Sequence, residues 1–162
     1  MPLSSSTLAQ DLERVFNAKP VSAADAAAAW ANAYQTYATG ALSVAASLPV
    51  GAPANFGILL GAFTAGLSAL TPVTAAALIA QGATAYWQAM TWLGATAAGV
   101  TAFPGNVALA ATLGVLFADL SGKSATDKAN DLATAFDAGA RAVVVSDVPF
   151  VQPAPPIVGP IA

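Results

Sequence analysis

The chain has 162 residues, of which 57% are hydrophobic and only 8% are charged, and its formal net charge is -3. An ordinary soluble domain carries about 25% charged residues, so this chain has few side chains with which to remain soluble alone. Its five Lys and Arg residues exclude an electrostatic nucleic-acid binder, because phosphate contacts need clustered basic side chains.

The chain contains no cysteine and no histidine. This excludes disulfides, thiolate and imidazole metal sites, and catalysis by Ser-His-Asp or Cys-His groups. The nearest candidate for other chemistry is Asp127 with Asp131, one helical turn apart, which could hold calcium or magnesium or serve an enzyme. A solvated helix face is the favoured interpretation, so we predict a protein that is not an enzyme and has no cofactor or metal.

The charges are confined to the two ends of the chain. No Asp, Glu, Lys or Arg lies between Ala26 and Ala118, and all five basic and eight acidic residues flank this segment. Prolines divide the chain into intervals of helical length, and they stand at Pro20, Pro49, Pro53, Pro72 and Pro104. This pattern predicts an all-α bundle of about five to six helices.

Residues 1–20 are predicted to form an amphipathic docking helix. Thr7 and Gln10 have the spacing of a capping box, and the helix ends before Pro20. Leu12, Val15 and Phe16 lie along its apolar stripe, so we expect them to contact another surface.

Residues 21–141 are predicted to form the helical core domain. Ser22 with Asp25 resembles a capping box at the start of an alanine-rich helix that extends to about Leu48. Trp30, Tyr34 and Tyr37 recur at intervals of four and three residues, which is typical of a packing seam. We expect this seam to lie in the core or at a subunit contact, and core packing is the favoured interpretation.

Asn55 is predicted to cap the next helix of the core domain. Gly57 and Gly61 lie on a stripe of small residues along it, which favours close contact with another helix. Thr71 and Pro72 form a typical helix start, from which a long helix is expected to reach about Thr101.

The last two helices of the core domain are predicted from their caps and apolar stripe. Asn106 begins one of them, and its leucine stripe reaches Leu120 before Gly122 stops it. The other extends from about Ser124 to Arg141.

Residues 142–162 are predicted to form an extended C-terminal arm. The segment from Ala142 to Ser146 is rich in β-branched residues, which favour extended structure. Residues 150–162 contain four prolines and the apolar residues Phe150, Val151, Ile157, Val158 and Ile161. Such a segment cannot form a core of its own, so we expect it to lie along its own domain or along a neighbouring subunit.

Two functions remain open for this architecture. A structural subunit of a multi-copy assembly explains why several helices pair an apolar stripe with a neutral one, because such helices pack on protein without burying a charge. A multi-pass membrane protein is the alternative, since the uncharged run from Val73 to Phe103 is long enough to cross a bilayer of about 30 Å. The prevalence of Ala, Gly, Thr, Ser and Gln in these segments favours the assembly subunit.

The N-terminal part of the chain also resembles a known group of proteins. The segment from Leu8 to Phe16 and the alanine-rich stretch from Ala23 to Ala38 resemble small alanine-rich structural proteins of tailed bacteriophages. The resemblance covers mainly residues 7–40. It implies a virion component, present in repeated copies in the capsid, neck or tail, that binds copies of itself or other virion proteins and is assembled in the host cytoplasm. The absence of a recognisable signal peptide agrees with that location; a membrane location is the alternative.

Overall fold

The computed structural model describes residues 3–42, 48–50, 53–93, 96–149 and 157–162. It confirms the predicted all-α bundle, with six helices in the described residues. The helices are α1 (Ser5–Ala18), α2 (Ala23–Ala38), α3 (Pro53–Leu67), α4 (Pro72–Gln88), α5 (Asn106–Ala118) and α6 (Ala125–Arg141). The strands are β1 (Leu48–Val50), β2 (Thr91–Leu93), β3 (Thr96–Ala102), β4 (Val144–Pro149) and β5 (Ile157–Pro160).

The six helices form a closed ring. Each helix packs against the next one in the chain, and α6 packs against α1. The turns α1–α2, α3–α4 and α5–α6 meet at one end of the ring, which we call the loop end. The strands follow α2, α4 and α6, so they lie at the opposite end, which we call the sheet end. In this arrangement α1 is an integral member of the bundle, and its Leu8 and Leu12 are buried.

Aromatic side chains fill the centre of the ring. Tyr34 makes ring contacts with Phe63, Tyr86 and Phe136, with centroids 5.1 to 6.2 Å apart. Trp30 contacts Phe63 at 6.4 Å. Aromatic pairs at these distances stabilise a core by about 0.5–1.5 kcal/mol each beyond the area that they bury, so helices α2, α3, α4 and α6 are joined through one cluster.

Local capping signals correctly predicted where three helices begin. Ser22 accepts a hydrogen bond from the backbone N–H of Asp25, Thr71 accepts one from Thr74, and Ser124 accepts one from Asp127. Such a cap satisfies a backbone donor that the first turn of a helix leaves free.

Three other predicted helix caps are corrected. Helix α1 is capped by Ser4, whose Oγ accepts from the backbone N–H of Thr7, so Thr7 lies inside the helix. Helix α3 begins at Pro53, so Asn55 is an internal residue rather than a cap. Helix α5 begins at Asn106 after Gly105, with no side-chain cap.

The ends of three predicted helices are also corrected. Helix α2 ends at Ala38, and Leu48 lies in β1 rather than in the helix. Helix α4 ends at Gln88 rather than near Thr101, because β2 and β3 follow it. Asn55 stabilises that end of α4 by donating through Nδ2 to the carbonyl of Ala89, at 3.0 Å. Helix α5 ends at Ala118, before Leu120.

Two small antiparallel sheets cover the sheet end. β1 pairs with β2, and Leu48 lies opposite Leu93. β4 is the central strand of the second sheet, between β3 and β5. The predicted extended structure after α6 is therefore confirmed in β4.

The final residues of the chain lie on the chain itself. Ile157 pairs with Asp147 in the sheet, and Ile161 donates its backbone N–H to the carbonyl of Val143. Ala162 and Leu42 exchange two backbone hydrogen bonds of 3.0 and 3.1 Å. Residues 157–162 thus join the exits of α6 and α2, along their own domain.

None of the described helices combines the length and the apolar character needed to cross a bilayer. The predicted uncharged span from Val73 to Phe103 is divided into α4, without its first residue, and the strands β2 and β3.

Candidate interaction surfaces

The outer surface of the ring is charged on one side and neutral on the other. The charged residues lie on α1 and α6, in the first turn of α2, in the turns that flank these helices, and in β4. The exposed residues of α3, α4 and α5 carry no charge: Gly57, Gly61, Ala65, Pro72, Val73, Thr74, Gln81, Gln88, Val107, Ala108, Ala111, Thr112, Val115 and Ala118. We call the side formed by these three helices the neutral face.

Helix α5 is the most apolar part of the neutral face. Its inner side buries Leu109 and Leu113. Its outer side leaves Val107 79% exposed and Val115 71% exposed. Exposed aliphatic side chains that recur along one face of a helix are typical of a binding surface, whereas single ones are common on any protein.

An apolar groove opens at the loop end. Its volume is about 730 Å³, and its lining includes Phe16, Trp30 and Phe117. Val21 and Leu70 lie on its rim in two different turns and are 96% and 99% exposed. The groove therefore presents aliphatic side chains at its mouth and aromatic rings inside it.

The predicted small-residue stripe on α3 is part of the neutral face. Gly57 and Gly61 are exposed, and a Cβ atom added at either position would meet nothing within 4 Å. The close contacts between α3 and α4 use other small residues, since Gly82 of α4 lies directly against Ala62 of α3. The stripe is thus open to a partner.

Several residues that were candidates for contacts between subunits lie in the core of the chain itself. Leu12 contributes to the core on the inner side of α1, and the aromatic seam of α2 points to the ring centre. Five candidates are buried in this way, each at most 4% exposed: Leu12, Trp30, Tyr34, Tyr37 and Ile161. These side chains are not accessible to another subunit, because the closed ring and the C-terminal pairing already cover them.

The remaining candidates occupy different positions. Val15 and Phe16 are partly buried against the core and line the loop-end groove. Val158 is exposed on β5, and the backbone of Ile157 begins that strand. Phe150 and Val151 lie outside the described residues.

A partly buried polar network connects three parts of the sheet end. Tyr37 donates its hydroxyl to Oδ1 of Asp137 at 2.6 Å, and Arg141 donates through Nε to Oδ2 of the same carboxylate at 2.8 Å. Arg141 also donates to the backbone carbonyl of Leu3 at 2.9 Å. The carboxylate of Asp137 therefore holds α2, α6 and the N-terminal segment together.

Burial keeps the three tyrosines of the chain protonated. Desolvation raises the pKa of Tyr34, Tyr37 and Tyr86 above its ordinary value, and the carboxylate of Asp137 raises the pKa of Tyr37 further. Trp87 donates its indole N–H to the hydroxyl of Tyr34 at 2.9 Å, which partly offsets the effect of burial on the pKa of Tyr34. The hydroxyls of Tyr34 and Tyr37 form hydrogen bonds inside the ring, whereas the hydroxyl of Tyr86 is buried with no hydrogen-bond partner among the described residues.

The two carboxylates considered for a metal are each used within the chain. Asp127 accepts a hydrogen bond from the hydroxyl of its cap, Ser124, at 2.6 Å. Asp131 pairs with Lys123 at 2.7 Å, and this bond raises the pKa of Lys123. No group of acidic residues in the described part of the chain has the arrangement of a metal site.

Sequence reasoning missed the most exposed apolar residues: Val21, Leu70, Val73, Val107 and Val115. The leucine stripe of α5 was identified, but the second stripe on that helix was not. A signal for it was present, because Val107, Ala111 and Val115 recur every four residues, which places them on one side of a helix.

Comparison of the chain with models of known protein families, with curated proteins and with solved structures finds no match.

Proposed function

We propose that the chain is a structural subunit of a multi-copy protein assembly, and specifically a component of a bacteriophage particle. The observation that carries the proposal is the neutral face, which combines exposed valines on α4 and α5 with an exposed small-residue stripe on α3. Permanent interfaces are depleted in charge at their centre and resemble a protein core cut in half.

The distribution of charge supports a subunit with one side against protein and one side in water. Burying an unpaired charge at an interface costs several kcal/mol, and a partner on the neutral face would bury none. The opposite side is suited to water, because α1 carries the ion pair Arg14–Asp11 and α6 carries Arg141–Asp137.

The closed ring also supports a structural role. Each helix is held by two neighbours, and four of the helices also share the central aromatic cluster, so the neutral face is a preformed surface. A preformed surface binds with a smaller loss of entropy, because its side chains and backbone do not have to become ordered on binding.

The assignment to a phage particle comes from the resemblance of residues 7–40 to alanine-rich structural proteins of tailed phages. Particles purified on a density gradient should contain the chain at a fixed ratio to the major capsid protein, as quantified by mass spectrometry. Loss of the chain from particles during purification, while capsid proteins stay, would contradict the phage assignment.

A pair of matched variants tests the use of the neutral face. Gln81→Lys with Gln88→Lys places two charges on exposed positions of α4, and Asn130→Lys with Thr134→Lys places two on exposed positions of α6. We expect both variants to keep the wild-type circular dichroism spectrum, and only the α4 variant to be lost from particles. Equal incorporation of the two variants into particles would overturn the proposal that the neutral face binds a partner.

A further inference from the structure

The outer side of α5 has a symmetric pattern of side chains. Val107, Ala111 and Val115 follow one another at intervals of four residues, so a small residue lies midway between two exposed valines. Beside Val115, a shallow groove of about 580 Å³ extends to Val73 of α4. Asp119 is the one charged residue that lines this groove, and it lies at its edge, just beyond the end of the helix.

We propose that the outer side of α5 binds the same surface of a second copy of the chain, with the two helices antiparallel about a twofold axis at Ala111. In such an interface residue i meets residue j of the partner and residue j meets residue i. The axis therefore brings Val107 of each copy onto Val115 of the other and places the two Ala111 residues face to face.

The charge pattern favours a second copy as the occupant. The antiparallel register keeps the two copies of Asp119 at opposite ends of the contact, so the proposed contact brings no like charges together. Helices α3, α4 and α5 carry no charged residue of their own, so a contact made by these helices buries none of the charges of α1 and α6. A positively or negatively charged partner would gain nothing from this surface and would lose hydration of its own charges.

The neutral surface also extends beyond α5. A stable interface buries about 800 Å² per partner, which is roughly a tenth of the 7608 Å² surface of the chain. The outer sides of α4 and α3 continue the neutral surface with exposed residues such as Val73, Thr74 and Gln81, which a pair centred on Ala111 can use in addition to α5. The small side chain at the axis lets the helices approach to about 8 Å, the near limit for packed helices.

This inference rests on the proposed role as an assembly subunit, because it names the partner and the contact that the subunit uses. The two can fail separately. A chain that pairs through α5 in solution but is absent from phage particles would overturn the phage assignment alone, whereas a chain that is present in particles but does not pair through α5 would overturn the inference alone.

Single cysteine variants of the full chain test the contact, since the chain has no cysteine of its own. A disulfide requires Cα atoms about 4.4–6.8 Å apart, and a twofold axis at residue 111 brings the two copies of that residue to this range. Ala111→Cys should therefore give a covalent dimer under mild oxidation. Ala138→Cys is the matched control, because Ala138 is also an exposed helical alanine but lies on α6.

We expect the crosslinked fraction of A111C to exceed that of A138C by about tenfold or more, and an equimolar mixture of V107C and V115C to crosslink with each other. Sedimentation velocity gives the second measurement: Ala111→Glu should raise the dimer dissociation constant by at least about tenfold, because it buries two like charges at the axis. A wild-type chain that sediments as a monomer, or a dimer in which A111C crosslinks no better than A138C, would overturn the inference.

Discussion

Helices α5 and α6 are neighbours in the ring, yet their outer sides differ completely. Helix α6 buries Leu132 and Phe136 on its inner side and carries charged residues such as Lys128 and Arg141 on the other. Helix α5 has an equally apolar inner side, but its outer side has valine, alanine and threonine in place of charges.

The difference between the two helices separates what folds the chain from what the chain contacts. Both inner sides contribute to one core, so burial in the ring requires apolar residues from each helix alike. The outer sides have no part in that core, and their composition reflects the surroundings of the assembled protein. Changes to the inner sides should therefore alter stability, and changes to the outer side of α5 should alter association.

The largest effect on the shared core is expected at alkaline pH. Because the folded state raises the pKa of Tyr34, Tyr37 and Tyr86, it retains protons that the unfolded chain loses above a pH of about 10. Stability is thus fully present below that pH and is lost as the pH rises, at about 1.4 kcal/mol per pH unit for each tyrosine.

Circular dichroism and tyrosinate absorbance, followed together from about pH 8 to 13, measure this effect. This range covers roughly five pH units around the ordinary tyrosine pKa. We expect loss of helix and ionisation of all three tyrosines in one cooperative step. Gradual ionisation with the helical signal intact would show that the ring admits water to its tyrosines, and would contradict the burial described above.

Truncation of leucines compares the inner sides of the two helices directly. Leu113 of α5 and Leu132 of α6 are both fully buried, so replacing either with alanine should lower the free energy of unfolding by about 2–5 kcal/mol. Val115→Ala is the control on the outer side of α5 and, at a protein concentration low enough to keep the chain monomeric, should change it by less than about 0.5 kcal/mol. Urea denaturation of the three variants measures the difference. A loss for Val115→Ala equal to that of the leucines would mean that its exposed side contributes to folding.

Sequence reasoning predicted three helix starts from short-range signals. Ser22, Thr71 and Ser124 each cap a helix through a backbone N–H only three residues away. The predicted ends of α2 and α4 failed because they depend on residues far apart in the chain: β1 pairs with β2 over more than forty residues, as in the pair Leu48 and Leu93. Asn55 has the side chain of a cap but bonds to Ala89 instead.

The candidate surfaces were harder to predict for a related reason. The spacing of Leu109 and Leu113 shows that these two residues lie on one side of α5. The spacing of Val107 and Val115 shows that these two also lie together, on a second side. Both stripes are apolar, and hydrophobicity alone does not say which of two apolar stripes faces the ring. The packing of α4 and α6 against α5 decides it, and that packing is a property of the whole fold.

Removal of the carboxylate in the polar network should have a smaller effect than the leucine truncations. Asp137→Asn keeps the size of the side chain but removes the charge that holds Tyr37 and Arg141. We expect a loss of about 1–3 kcal/mol in the free energy of unfolding, and faster amide exchange near Leu3. Asp127→Asn is the control, since Asp127 is exposed and loss of its charge from the first turn should cost only about 0.3–1 kcal/mol. An equal loss for both variants would mean that the network adds nothing beyond ordinary surface charge.

The smallest expected effect on stability comes from two helical glycines. Gly82 of α4 is packed against α3, whereas Gly61 of α3 is exposed. A Cβ atom at Gly82 would collide with that of Ala62, so Gly82→Ala must move α4 away from α3. Overpacking of this kind costs about 1–3 kcal/mol, which exceeds the gain of about 1 kcal/mol from replacing a helical glycine by alanine. At Gly61 nothing lies within 4 Å of the added atom, so Gly61→Ala should keep that gain. We expect urea denaturation to show opposite signs for the two substitutions. Destabilisation by Gly61→Ala would indicate that the small-residue stripe of α3 is already covered in the free protein.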